Sequence, residues 1–127
     1  MKNTELLKAG RDGLLSLHKS LVDFERWKYE TINGSVTPGK FLNMLLEDPD
    51  LSWLRKFSTL IVDIDEMFSQ KDGFSEEAVA LHLKKLRDLI TMLEPDEDFV
   101  ARYQSALQQD TDSATKQAEL RLLLVEK

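Results

Sequence analysis

Cysteine is absent from this 127-residue chain, which removes disulfides, thiolate metal sites and thiol nucleophiles together. That absence suits a reducing compartment, and the cytoplasm is the expected location. No apolar stretch approaches the ~20 residues that cross a bilayer. The opening MKNTELLKAGRDG also lacks the apolar run of a secretory leader. Proline occurs three times and glycine five times, so the turns they mark are few and the segments between them are long. A cationic stripe is missing too. Seventeen Lys and Arg stand against 23 Asp and Glu, for a formal charge of −6. Such a surface repels phosphate backbones and anionic headgroups, so neither nucleic acid nor membrane is an expected partner.

What the chain does have is helical periodicity. Nothing alternates with period two, and Val and Ile fall inside patterns spaced by three and four. The length is that of one domain, 1–127, with enough surface to bury for a core without staples. A first helix is expected over 4–32, with Leu7, Leu14, Leu17, Leu21 and Phe24 as its stripe. Gly10 and Gly13 interrupt it, and either fray the first turns or let a neighbour pack closely. Asn33-Gly34 ends it, and Thr37-Pro38 caps and opens a short helix over 38–46. Asp48-Pro49 then opens a helix over 49–69 with Leu54, Phe57, Ile61, Ile64 and Phe68 on one face.

Beyond a turn at 71–73, Ser75 caps a helix whose stripe reads Val79, His82, Leu86, Leu89 and Leu93, stopped by Glu94-Pro95. The last third carries Phe99, Tyr103 and Leu107, with a break and fresh cap offered by Asp110 to Ser113. LRLLLV, residues 120–125, is apolar nearly all round, which implies burial against the rest or against a second subunit. Four long helical stretches with short links predict an all-α, up-and-down four-helix bundle, with the 38–46 helix as an additional crossover.

The motifs that suggest chemistry fail on their own terms. Gly34 to Phe41 matches GxxxxGK, but Phe41 stands where Ser or Thr must reach magnesium, and the segment leaves a helix instead of a strand. Neither His18 nor His82 has a glutamate three residues before it, so the di-iron pattern is absent. Asp63 and Asp65 point about 200° apart on a helix. Asp110 and Asp112 begin like a calcium loop, but Ala114 and Thr115 fill the positions of the next ligand and the glycine. No serine sits in a GxSxG elbow. No catalytic or metal-binding residue is assigned, no cofactor is expected, and an enzyme is the less favoured reading.

Some residues remain unexplained by folding alone. His82 falls on an apolar seam and needs partners for its nitrogens; counting across the turn puts Asp65 or Ser58 within reach. Trp27, Tyr29, Phe41 and Trp53 gather at one end, as a plug or a pocket. Arg55 is placed to pair with Glu47 or Asp48.

The stretch DPDLSWLRKFSTLIVDIDEMF, preceded by TPGKFLNMLL, resembles a segment of small bacterial helical proteins of unknown function. The resemblance rests on Asp48-Pro49, Trp53-Leu54-Arg55, Ser58, Leu60-Ile61 and Asp65, about a quarter of the chain. It implies a bacterial cytoplasmic protein and carries no activity over. It also implies that Trp53, Arg55, Ser58 and Asp65 act as a unit. The expected function is a non-enzymatic helical interaction or assembly module, a homodimer or other homo-oligomer joined through the apolar C-terminal helix. The competing expectation is a ligand-binding bundle or minor enzyme. Its site would lie between the 38–46 helix and the Trp53–Asp65 face, with Trp53, Arg55, Ser58, Asp65 and His82 as contacts.

Overall fold

Thirty-one residues without a proline, apolar at helical spacing, form one continuous helix, α1 (Asn3–Asn33). The computed structural model describes residues 2–93 and 95–125, and among these the regular structure is entirely helical. Leu7, Leu14, Leu17, Leu21 and Phe24 are all buried, as their spacing requires. Gly34, at φ 83°, turns the chain out of α1. Thr37 then caps α2 (Pro38–Glu47), its side chain accepting from the Lys40 amide at 3.2 Å. Arg26 and Glu30 clip this connection to α1: Arg26 donates to the Val36 carbonyl at 2.8 Å, and Glu30 accepts from the Val36 amide at 2.8 Å.

The single helix expected over 49–69 is two elements. Pro49–Leu54 winds as a 3₁₀ helix and Arg55–Phe68 as α3. Asp48 starts the tighter turn by accepting from the Asp50 amide, and the Ser52 hydroxyl takes the Pro49 carbonyl. A three-residue period stacks Leu51 over Leu54, and both are buried together with Trp53. Helix α4 (Glu76–Ile90) follows its Ser75 cap, α5 (Glu97–Gln109) its Asp96 cap and α6 (Thr111–Leu124) its Asp110 cap. The last third is therefore two helices, divided at the break that Asp110 offers.

The stripe of α4 is rotated from the one expected. Val79, Leu83, Leu86, Leu89 and Ile90 are buried, His82 sits half-buried on the flank, and Leu93 is exposed. The helix stops before Leu93. The Leu93 amide reaches back to the Asp88 carbonyl and Met92 to Leu89, with Met92 in the left-handed region at φ 63°. Glu94, half of the expected Glu94-Pro95 stop, lies outside the described residues. The Ile90 carbonyl, freed at this end, accepts from Tyr103 of α5 and Gln117 of α6, which ties three helices to one backbone group.

Helix α1 packs against α3, α4 and α6. Arg11 meets Asp65 and His18 meets Phe57, so α1 and α3 run antiparallel. Gly10 lies beside Leu124 and Gly13 beside Leu120, so α6 is antiparallel to α1 as well. The glycines are close-packing positions. A Cβ at Gly10 would stand 2.7 Å from Leu86 Cδ2 and 3.2 Å from Leu124 Cδ2, whereas one at Gly13 would meet only the tip of Leu120 at 2.7 Å. Two locked leucines yield less than one, and alanine gains about 1 kcal/mol of helix propensity over glycine. Gly10→Ala is expected to lower stability by about 1–2 kcal/mol and Gly13→Ala to leave it nearly unchanged. Urea denaturation of both variants checks this, and equal losses would contradict it.

Candidate functional site

The five residues singled out from the sequence are dispersed over several structural tasks. Trp53 is buried at the end of the molecule where α2, the 3₁₀ helix and α5 meet. Its ring lies 6.1 Å from Phe57, 6.3 Å from Phe99 and 6.3 Å from Tyr103. Phe57 and Tyr103 meet edge to face at 5.3 Å. These separations are the ordinary range of aromatic packing, and the cluster plugs this end of the fold. The plug therefore forms with different partners from those expected, since Trp27 is exposed and Phe41 lies under Arg26. Burial pushes the Tyr103 hydroxyl well above its ordinary pKa, which leaves it a donor to the Ile90 carbonyl.

Arg55 holds the crossover helix by a different bond from the one expected. Its guanidinium donates to the carbonyls of Leu45, at 3.2 Å, and Leu46, at 2.6 Å. These are unsatisfied groups at the C-terminus of α2, where a cation also complements the helix dipole. Ser58 donates to the Arg55 carbonyl at 3.2 Å, a local bond within α3. Asp65 turns to α1, accepting a two-pronged bond from Arg11 at 3.0 and 2.9 Å. His82 Nδ1 lies 2.7 Å from the Ala78 carbonyl, so Nδ1 carries the proton. The expected meeting of Asp65 with His82 is replaced by these two separate bonds. Asp65 faces the α1 seam of α3, and His82 lines a groove on the α4 side.

Two open grooves run along the α3–α4 seam. One is lined by Arg55, Thr59, Asp63, Lys85 and Leu89, the other by Asp63, Glu66, Phe74, His82 and Lys85. They share Asp63 and Lys85 and so adjoin; together they are called the α3–α4 channel. A third groove, of about 620 Å³, lies between the end of α1 and the α2–3₁₀ segment. Trp27, Tyr29, Ile32, Met44, Leu51 and Arg102 line it. Trp27 is 62% exposed and Ile32 83%. Arg102 was missed in the sequence reading. It links α5 to the 3₁₀ helix by donating to the Asp50 carbonyl at 2.8 Å and to its carboxylate at 3.2 Å. Its spacing from Asp98, an i,i+4 ion pair, was the legible signal.

Every buried side-chain nitrogen and oxygen among the described residues has a hydrogen-bond partner. Among those residues no three His, Asp or Glu converge as a metal site, and no helix is long and apolar enough to cross a membrane. Ser20, buried on α1, donates a hydrogen bond to Asp112 at the start of α6. That bond, with Lys116 beside it, holds the Asp112 carboxyl below its ordinary range. No family model, curated protein or solved structure matches the chain.

Two outcomes follow from these placements. Arg55→Ala is expected to cost about 1 kcal/mol, the loss of two bonds at an exposed position, with Arg55→Lys recovering part of it. Thermal melts of the three proteins would read this, and an unchanged midpoint for Arg55→Ala would contradict it. His18, half-buried beside Phe57 at 6.3 Å, has its pKa lowered by desolvation. The unfolded chain then binds the proton more readily, so stability rises with pH. The contribution is complete above about pH 6.5 and lost as pH falls through the folded value. His18→Leu is expected to flatten the stability profile between about pH 7 and 5; a wild-type profile that is already flat there would oppose it.

Proposed function

We propose that this chain is a non-enzymatic helical assembly module whose copies bind one another, with the cytoplasm as its location. The observation that carries this reading is an apolar face on three neighbouring helices. Leu15 of α1 is 44% exposed, Val62 of α3 52% and Leu81 of α4 50%. Leu15 follows Arg11 by four residues and precedes His18 by three, and both of those reach α3. Val62 precedes Asp65 by three on the same seam. Leu81 precedes Lys85 by four and follows Ala78 by three, and those two line the α3–α4 channel. Helical geometry therefore brings all three apolar side chains to one side, with α3 as its ridge.

A four-helix bundle of α1, α3, α4 and α6 is the architecture we assign to the body, with α2 as crossover. The antiparallel registers of α1 with α3 and α6 support it, as does the contact of α4 with α1, α3 and α6. This assignment changes where self-association is sought. Leu120 and Leu124 of the C-terminal LRLLLV segment are buried against α1, and of its apolar residues only Leu122 and Val125 stand clearly outside. Removing α6 would strip the core, so point variants are the usable test. Light scattering of the intact protein is expected to report a dimer at high concentration, retained in Leu122→Asp and weakened in Val62→Asp. A monomer at every concentration would reject the module. Loss of the dimer in Leu122→Asp alone would move the contact to α6.

A second reading is favoured by the groove that Trp27 and Ile32 border, which suits a flat apolar ligand. It lies on the α1 side of α2, away from the Trp53–Asp65 face. Binding of an anilinonaphthalene sulfonate dye, abolished by Trp27→Ala in a folded protein, would support it.

A further inference from the structure

The charges of α3 run against its dipole. Arg55 and Lys56 open the helix and Asp63, Asp65 and Glu66 close it, with no acidic residue in the first turn and no basic one in the last. A helix dipole favours the opposite order. Contacts within the chain account for part of this inversion. Arg55 serves α2, Asp65 serves Arg11, and Lys56 reaches Asp96 at 3.5 Å. They leave Asp63 and Glu66 unexplained, since neither carboxylate makes an ion pair or hydrogen bond among the described residues, and of the two Glu66 is the exposed one.

The exposed ridge of α3 reads Arg55, Thr59, Val62, Glu66, spaced four, three and four. All four lie on one stripe. Turned end for end, the stripe maps onto itself with reversed charge: position 55 falls on 66 and position 59 on 62. We propose that this ridge is a two-fold self-docking surface, on which α3 of one protomer lies antiparallel to α3 of a second copy. Arg55 of each protomer faces the partner's Glu66, and Thr59 faces the partner's Val62. This rests on the self-association reading and names its contact.

The shoulders fit the same axis. In the antiparallel register of α1 with α3, Arg11 is level with Asp65 and His18 with Phe57, so Leu15 is level with the centre of the ridge. A two-fold axis crossing the ridge there keeps α1 on the same side in both protomers. Leu15 then flanks the paired Thr59 and Val62 on the same side in both protomers, set back from the ridge. The centre of the contact is apolar and its ends are ion-paired, the arrangement of ordinary interfaces and of isologous ones in particular. A ridge one helix wide, about 10 Å, and about 18 Å long presents an area below that of a stable specific dimer and in the range of weak, transient contacts. The association is accordingly weak and concentration-dependent.

Glu66→Lys separates this proposal from simpler effects. It raises the net charge from −6 by two, to −4, which by itself lessens repulsion between protomers. It also places a cation at the C-terminal end of α3, which favours the monomer fold. Only a contact between Glu66 and a cation of the second copy predicts weaker dimerisation. Sedimentation equilibrium is expected to show the dimer dissociation constant of Glu66→Lys raised about tenfold or more, with a melting temperature no lower than wild type. An equimolar mixture of Glu66→Lys with Arg55→Glu is expected to associate better than either alone.

Because the chain holds no cysteine, Val62→Cys gives a second readout independent of charge. A short bis-maleimide is expected to join two copies through it, and to fail with Ser35→Cys in the α1–α2 connection. A wild-type dimer that Glu66→Lys leaves intact, or a Val62→Cys protein that cross-links no better than Ser35→Cys, overturns the α3 contact while self-association stands. A wild-type protein that is monomeric at the highest concentration reached overturns both.

Discussion

Two glycines of α1 let leucines of α4 and α6 rest against its backbone, and the other contacts depend on this close packing. At Gly10 and Gly13 the helix has no side chain, and the tips of Leu86, Leu120 and Leu124 rest where a Cβ would stand. Glycine weakens a helix interior through backbone entropy, so its place here is explained by packing alone. Because α1 also touches α3, the same separation sets whether Arg11 reaches Asp65 and whether Ser20 reaches Asp112. Those polar bonds hold a register that apolar burial, which is not directional, would leave less defined.

Arginine performs the corresponding role at the helix ends. Arg55 binds the last carbonyls of α2, Arg26 the Val36 carbonyl, Arg102 the Asp50 carbonyl and Arg87 the Leu124 carbonyl at the end of α6. Carbonyls at helix ends and in connections have no partner within a ladder, and a planar guanidinium satisfies one while keeping its charge near water. Four backbone sites are fastened in this way, two of them at the ends of α2 and α6. This explains why Arg55, conspicuous in the sequence, has a task in the structure that requires no ligand. The aromatic plug of Trp53, Phe57, Phe99 and Tyr103 lies beneath two of these clips and makes that end of the molecule a packed layer.

With the polar groups so committed, what remains outside is the exposed apolar surface and the inverted charge of α3. Contacts within one chain employ Arg55, Lys56 and Asp65 but not Asp63 or Glu66, whereas an antiparallel pair of such helices is complementary at both ends. The self-association reading and the α3 contact draw on these two features separately, one apolar and one electrostatic. They coincide at Val62, which lies at the centre of the ridge and of the apolar face.

Elements whose start and end are local events could be read from the chain. Thr37, Ser75 and Asp110 cap helices as their types require, and the α1 stripe is buried as spaced, because capping and periodicity involve only residues within a turn or two. The 3₁₀ winding of Pro49–Leu54 was hidden, since Asp48-Pro49 opens either kind of helix and the demand to bury Leu51, Trp53 and Leu54 together comes from outside the segment. The α4 seam was misread for a related reason. Val79-His82-Leu86-Leu89 and Val79-Leu83-Leu86-Ile90 are both helical stripes, and only the positions of α1, α3 and α6 select the second. The candidate set was dispersed because Asp65 and Trp53 find their partners, Arg11 and Tyr103, tens of residues away in sequence, while Arg55, Ser58 and His82 bond to nearby backbone carbonyls and not to one another's side chains. Local chemistry alone determined that the chain is helical and where most helices begin. Which of two possible faces α4 buries, and which charge each residue meets, was decided only when α1 brought the others within reach.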